Sequence, residues 1–234
     1  MAEKVFIRAE KARKLRDVSP SVKFPIEIRL VQLGLFCALA TGSAAARQDE
    51  GVSASAIIRE MNLARQNPAL YATYVEELRP RYDSGSVVPP GGTKWRMKEG
   101  LSAIDEAVRF LRAAPPERSL TLSPGMCRAA SDHCADQAGG RTGHGGSDRS
   151  TPSNRLSRYG IWTGLWGENI AYGKTTAREV VLTLIIDDGQ PARPHRKNIF
   201  NPSFNFAGAA SGPHSGYGNV CTIDFANSYI ERAK

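Results

Sequence analysis

Imidazole and carboxylate groups are the side chains in this sequence best suited to hold a divalent metal or move a proton near neutral pH. Three of the four histidines sit among Gly and Pro: His144 in Gly-His-Gly-Gly, His195 in Arg-Pro-His-Arg-Lys-Asn-Ile and His214 in Gly-Pro-His-Ser-Gly. His133 falls instead within a predicted helix. Glu168, in Gly167-Glu-Asn-Ile-Ala-Tyr-Gly173, lies between His144 and His195, which are 51 residues apart. Two neutral imidazoles with one or two carboxylates can bind Zn²⁺ or another divalent metal and leave positions open for water, which the metal can activate. The expectation is therefore one metal site on His144 and His195. Glu168 would be a further ligand or the orienter of a bound water, and it is the candidate general base.

Other routes to catalysis find no support. His144-Gly-Gly146 is like the oxyanion loop of α/β-hydrolases, but no Gly-x-Ser-x-Gly nucleophile elbow occurs in the chain. A His-Glu-x-x-His zinc-protease helix is also absent. Ser147, three residues after His144, reads as a turn residue beside glycine.

The elements that must position these groups follow from periodicity and punctuation. Ser53 to Glu77 is helical, with Ile57, Ile58, Met61 and Ala64 on one face, and Asn67-Pro68 divides it into two helices. Residues 79–94, rich in Pro, Gly and Ser, read as a surface loop. A helical pattern returns over 100–113 through Leu101, Ile104, Val108 and Leu111. Ser123-Pro124 opens a helix with a small-residue stripe (Cys127, Ala130, Cys134, Ala135, Ala138) suited to close packing, and Gly139-Gly140 ends it in a Gly-rich loop that carries His144. A short helical piece covers Asn154 to Tyr159, and Thr176-Ala-Arg-Glu179 is a capping box ahead of Val180, Val181, Leu184 and Ile185. Phe204 to Ala210 and Gly218 to Ala226 are strand-like, with a hairpin connection between them. Helices first and strands last imply an α+β or layered arrangement rather than a doubly wound sheet.

The N-terminal part has a different character. The apolar run Leu30–Ala40 follows basic residues and precedes Ala44-Ala45-Ala46, the pattern of a secretory signal cleaved near Ala46, and the run is too short to span a bilayer. Residues 1–46 are thus read as an N-terminal extension and signal peptide, with a single domain over 47–234. The charged stretch before Val22 exceeds what a signal needs, and a start at Val22 would give one of ordinary proportions. Residues 1–46 hold eight Lys or Arg against four Asp or Glu, so the remainder carries +4 of the full chain's +8. No Lys/Arg-rich block with interleaved aromatics remains, so nucleic acid is not an expected partner. Cys37 leaves with the signal, and Cys127, Cys134 and Cys221 remain. On one helix the first two would be roughly 10 Å apart, beyond disulfide reach. One of them could pair with Cys221, or all three could be small apolar core residues.

Taken together, these motifs resemble the CAP superfamily, the cysteine-rich secretory, antigen and pathogenesis-related proteins, of bacterial type. The likeness rests on Asn62-Leu-Ala-Arg65 in the opening helix, the His144 loop, Gly167-Glu-Asn-Ile170, the helix at 177–186, His195-Arg-Lys-Asn-Ile199 and Asn201-Pro-Ser-Phe204. It implies an α+β fold, a three-layer α-β-α sandwich, with a cavity lined by two histidines and two acids, here His144, Glu168, His195 and a fourth residue. The family's second acid is a glutamate where this chain has Leu184, so Asp187 or its neighbour Asp188 is the nearest stand-in. Ser211 stands where similar relatives often carry a cysteine, which would leave Cys221 without its usual partner. The resemblance further implies a secreted or periplasmic module that binds a small molecule, lipid or protein, with peripheral contact to the cell envelope. The alternatives are a metal-assisted peptidase or esterase using the same cleft, and a cell-envelope structural protein.

Overall fold

The computed structural model describes residues 52–232, all within one compact unit that runs Ala46–Lys234. The expected signal segment and its cleavage site lie outside the described residues. α1 (Ala54–Gln66) starts where the Ser53 side chain accepts from the Ala56 amide at 3.2 Å, and α2 (Pro68–Glu76) starts at Pro68, whose missing N–H costs nothing at a first helical position. Residues 79–94 were expected to be a loop and are more ordered than that. A 3₁₀ turn at Arg79–Arg81 leads into β1 (Tyr82–Asp83) and β2 (Ser86–Val87), which with β3 (Trp95–Arg96) form a small antiparallel sheet. Ser84 and Gly85 both have positive φ, 46° and 81°, the backbone of a tight hairpin turn.

α3 (Leu101–Ala113) and β4 (Thr121–Leu122) follow, then α4 (Pro124–Gln137), capped by Ser123 and opened by Pro124 as the sequence implies. α5 (Pro152–Tyr159) and α6 (Ala177–Ile186) each begin with a reciprocal capping box, Thr151–Asn154 and Thr176–Glu179. Between them runs β5 (Gly160–Tyr172), a long strand that no sequence signal announced. Its first half is exposed and its second half buried, so apolar and polar residues do not alternate along it as in a half-buried strand. α7 (Pro194–Ile199) converts the expected His195 loop into a short helix. β6 (Phe206–His214) and β7 (Gly218–Glu231) are the expected hairpin, with β6 starting later and running on to His214 at the turn and β7 running on to Glu231.

The main sheet has the order β4-β6-β7-β5, with β4 parallel to β6 and the other pairs antiparallel. β7 is central and sorts its side chains by parity: Cys221, Ile223 and Phe225 enter the larger core with α1, α2, α3 and α6, whereas Val220 and Ala226 pack on the other face with α4 and α5 residues. Helices therefore cover both faces, giving the three-layer α-β-α sandwich. Each fully buried Ile, Met or Leu of the larger core contributes about 1.5–3 kcal/mol. α4 approaches the sheet closely at Gly208 of β6, where a Cβ would stand 2.3 Å from the Met126 backbone, and of the expected small-residue stripe Ala130 and Cys134 are buried whereas Ala135 is exposed. All three described cysteines are free, and Cys134 and Cys221 belong to cores on opposite faces of the sheet, out of bridging reach. Burial pushes each of the three thiols up, so they behave as small apolar side chains.

Candidate functional site

Glu168 lies in the buried half of β5 on the face covered by α4 and α5, and its side chain is 1% exposed. His144 reaches over it from the Gly-rich loop, with Nδ1 2.7 Å from Glu168 Oε1 and the ring about half in solvent. The other oxygen, Oε2, accepts from Arg155 Nη2 at 2.7 Å. Arg155 is itself buried, and the same nitrogen donates to the His144 backbone carbonyl at 3.1 Å, so one guanidinium binds both the acid and the loop that carries the imidazole. Behind the loop, Tyr172 Oη accepts from the Gly143 amide at 3.0 Å and donates to Gln137 at 2.8 Å, while Gln137 donates to the Gly143 carbonyl at 2.9 Å. The Gly-rich loop is thereby held at its base by α4 and β5.

The second imidazole is built differently. Asp187 ends α6 in the left-handed conformation, φ 55° and ψ 40°, and its buried carboxylate faces the start of α7. Oδ2 accepts from the His195 amide at 2.8 Å, and Oδ1 lies 2.6 Å from His195 Nδ1. One side chain thus caps a helix that lacks a side-chain cap of its own and orients the imidazole in its first turn. Asp188 serves elsewhere, accepting from the Lys98 and Glu99 amides, so of the two candidate acids it is Asp187 that meets the histidine. Arg193 and Arg196 lock the connection: Arg193 holds Glu99 with two bonds of 2.6 and 2.7 Å, and Arg196 binds Glu106 and the last carbonyls of α6. The Arg193 guanidinium pulls the Glu99 carboxyl down to about 2.

The two halves meet on β5. Next to Glu168, Asn169 points to the opposite face, where its amide donates to the His195 carbonyl at 3.0 Å and its oxygen accepts from Asn198 at 2.8 Å. Gly167 permits this approach, since a Cβ there would lie 3.1 Å from Asn198 Oδ1 and 3.2 Å from Phe204. The three consecutive residues Gly167-Glu168-Asn169 therefore admit α7, hold His144 and hold the His195 segment in turn.

A profile of the cysteine-rich secretory protein family (CAP) matches residues 106–225, more than half of the chain. The chain belongs to the CAP family. Solved structures similar to it include an outer surface protein of Borrelia burgdorferi (18% identity, TM-score 0.40, covering 47% of this chain and 78% of that one). An extracellular protein with an SCP domain from Bacillus anthracis is 19% identical, with TM-score 0.39, and covers 55% of this chain and 40% of that one. A cysteine-rich secretory protein from Staphylococcus aureus is 12% identical, with TM-score 0.34, and covers 55% and 38%. The chain thus spans less than half the length of the latter two. No curated protein matches the sequence.

Within this CAP domain the two remaining histidines prove structural. His214 is buried, with Nε2 2.9 Å from the Arg141 carbonyl and Nδ1 accepting from the Gly216 and Tyr217 amides. His133, expected to stand apart from the site, is fully buried behind the His144 loop, where Gln137 and the Gly143 carbonyl contact its Nε2. Arg155 was missed altogether. The available signal was a cation in the first turn of a helix, where it opposes the dipole unless a buried anion claims it. Among the described residues no group of three or more His, Cys, Asp and Glu side chains is arranged to hold a metal ion.

Proposed function

We propose that this CAP domain is an exported binding module whose ligand is engaged by the Nε2 atoms of His144 and His195, directly or through a divalent metal such as Zn²⁺. The observation that carries this reading is the shared anchoring of both rings. Each Nδ1 is held by a buried carboxylate, at 2.7 and 2.6 Å, and neither Nε2 has a protein partner among the described residues. A neutral imidazole held in this way presents its Nε2 lone pair outward, the arrangement by which an outer carboxylate orients a metal-binding histidine. Two imidazoles would supply nitrogen donors to a divalent metal, with water or ligand oxygen completing the shell. A metal there would polarise an oxygen of whatever it bound.

Binding is favoured over hydrolysis by the state of Glu168. With one oxygen on His144 and the other on Arg155, it is placed to orient and to balance charge, not to take a proton from water. Export is supported by the Leu30–Ala40 run and the small residues at Ala44–Ala46. No helix among the described residues is long and apolar enough to cross a membrane. A small molecule, a lipid or a protein remains the ligand class.

Calorimetric titration of Zn²⁺ into the protein and into His144→Ala and His195→Ala tests the site. Binding by the unsubstituted protein that is lost in both variants is expected, and equal binding by His144→Ala would overturn the shared site. Protein recovered from fractionated cells should begin at or near Arg47.

A further inference from the structure

The face of the sheet that carries Glu168 conceals a set of polar atoms without hydrogen-bond partners among the described residues: Nδ1 of His133, Nε of Arg155 and both carboxyl oxygens of Asp224. All three side chains are at most 2% exposed. Asp224 lies on β7 directly opposite Glu168 in the antiparallel register. His133 and Asp224 both lie within the electrostatic reach of Glu168 and Arg155, which places the set in one region behind the His144 loop. A buried polar atom left unpaired costs about 1–3 kcal/mol, and groups of this kind, clustered in an interior, are what ordered internal water bridges.

The charges in this region do not balance if every acid is ionised. Arg155 is the one guanidinium bonded to Glu168, and it commits Nη2 to Glu168 at 2.7 Å while His144 occupies the other Glu168 oxygen. Asp224 receives no donor from either. A second carboxylate in the interior without a cation of its own is far costlier than a protonated acid. The other groups around Asp224 supply no positive charge. α4 contributes Cys127, Cys134 and His133, of which burial pushes the thiols up and holds the imidazole down, and β7 itself contributes Tyr229, whose hydroxyl is pushed up to about 12 chiefly by burial.

We propose that Asp224, His133 Nδ1 and Arg155 Nε share ordered water behind Glu168, with Asp224 carrying a proton so that Arg155 serves Glu168 alone. Asp224 is then a positioning residue: its neutrality leaves Glu168 as the charged member of this buried acid pair, where it keeps the His144 ring turned outward. Burial first, and the Glu168 charge second, push the Asp224 carboxyl well above the usual range, in the same direction as the geometry. The proposal rests on the binding reading only for the purpose it gives the Glu168–His144 pair.

Carbon-13 NMR of the aspartate carboxyls in the intact domain gives the direct test. The Asp224 resonance should keep its protonated position at neutral pH, and titration in the ordinary range near 4 would overturn the proposal. Asp224→Asn supplies a second measurement. An acid that keeps its proton in the folded state but loses it when unfolded withdraws stability as pH rises above its unfolded value. Asparagine cannot ionise, so the melting temperature of the variant relative to the unsubstituted protein should climb between pH 4 and 8. A relative fall over that interval would overturn the proposal. Failure of Zn²⁺ binding with Asp224 still protonated would sink the metal reading alone, whereas an ionised Asp224 with intact Zn²⁺ binding would sink only this one.

Discussion

His144 and His195 make the same bond, from Nδ1 to a buried carboxylate, and reach it by opposite means. His144 hangs from a Gly-rich loop with its side chain 55% exposed, and its orientation depends on a buried ion pair, Arg155 with Glu168, supplied by α5 and β5. His195 stands in the first turn of a helix with its side chain 22% exposed, and its acid is also that helix's cap. One half is positioned by charge brought from elsewhere in the fold, the other by backbone geometry within a dozen residues. The same imidazole–acid pair thus has either a global or a local dependence on the structure, and the two dependences predict different responses to substitution.

The comparison breaks most sharply at Arg155. Arg155→Met leaves Glu168 as a buried charge without its cation, a change that costs about 3–5 kcal/mol in such settings. Urea unfolding should show a loss of that order, and a loss near zero would mean that the His144 half is not held by the ion pair. Asp187→Ala removes a capping acceptor and the His195 partner together. Hydrogen bonds to a charged group are worth about 1.5–3 kcal/mol, so the expected destabilisation is smaller, and it should be accompanied by faster hydrogen exchange at the His195 and Arg196 amides, which face Asp187. Unchanged exchange at these amides would show that α7 is capped by something other than Asp187. The smallest effect belongs to His144→Ala. Because the ring is half exposed, water can replace its bond to Glu168 Oε1, so the loss should fall at or below the low end of that range, about 1.5 kcal/mol, and thermal unfolding should move less than in either other variant even though the proposed site is lost.

Several elements could be read directly from residues. The caps at Ser123 and Thr176, and the Pro at the starts of α2 and α4, specify helices through atoms two or three positions away, and local chemistry of that range survives in the sequence. The hairpin of β6 and β7 was likewise visible in its composition. β5 was not. It is an edge strand whose first half faces solvent and whose second half is buried on both faces, and this reflects what packs against it, not a period of its own. The small sheet of β1, β2 and β3 was concealed in the same way by Pro and Gly that serve its turns.

The sequence by itself determined which residue types were available for the site and, for His195, much of their geometry, because Asp187 and His195 are eight residues apart and joined by a tight helix-to-helix turn. The remaining geometry arises from packing between distant elements. Asp187 was preferred to Asp188 because the left-handed turn aims one carboxylate at α7 and the next at Lys98 and Glu99. Arg155 and Asp224 became neighbours of Glu168 because α5 and β7 pack on β5, and the claim of Arg155 on Glu168 depends on the exclusion of water from that contact. Charge pairing across long sequence separations leaves no periodic trace, since its energy comes from desolvation that exists only after the chain has folded.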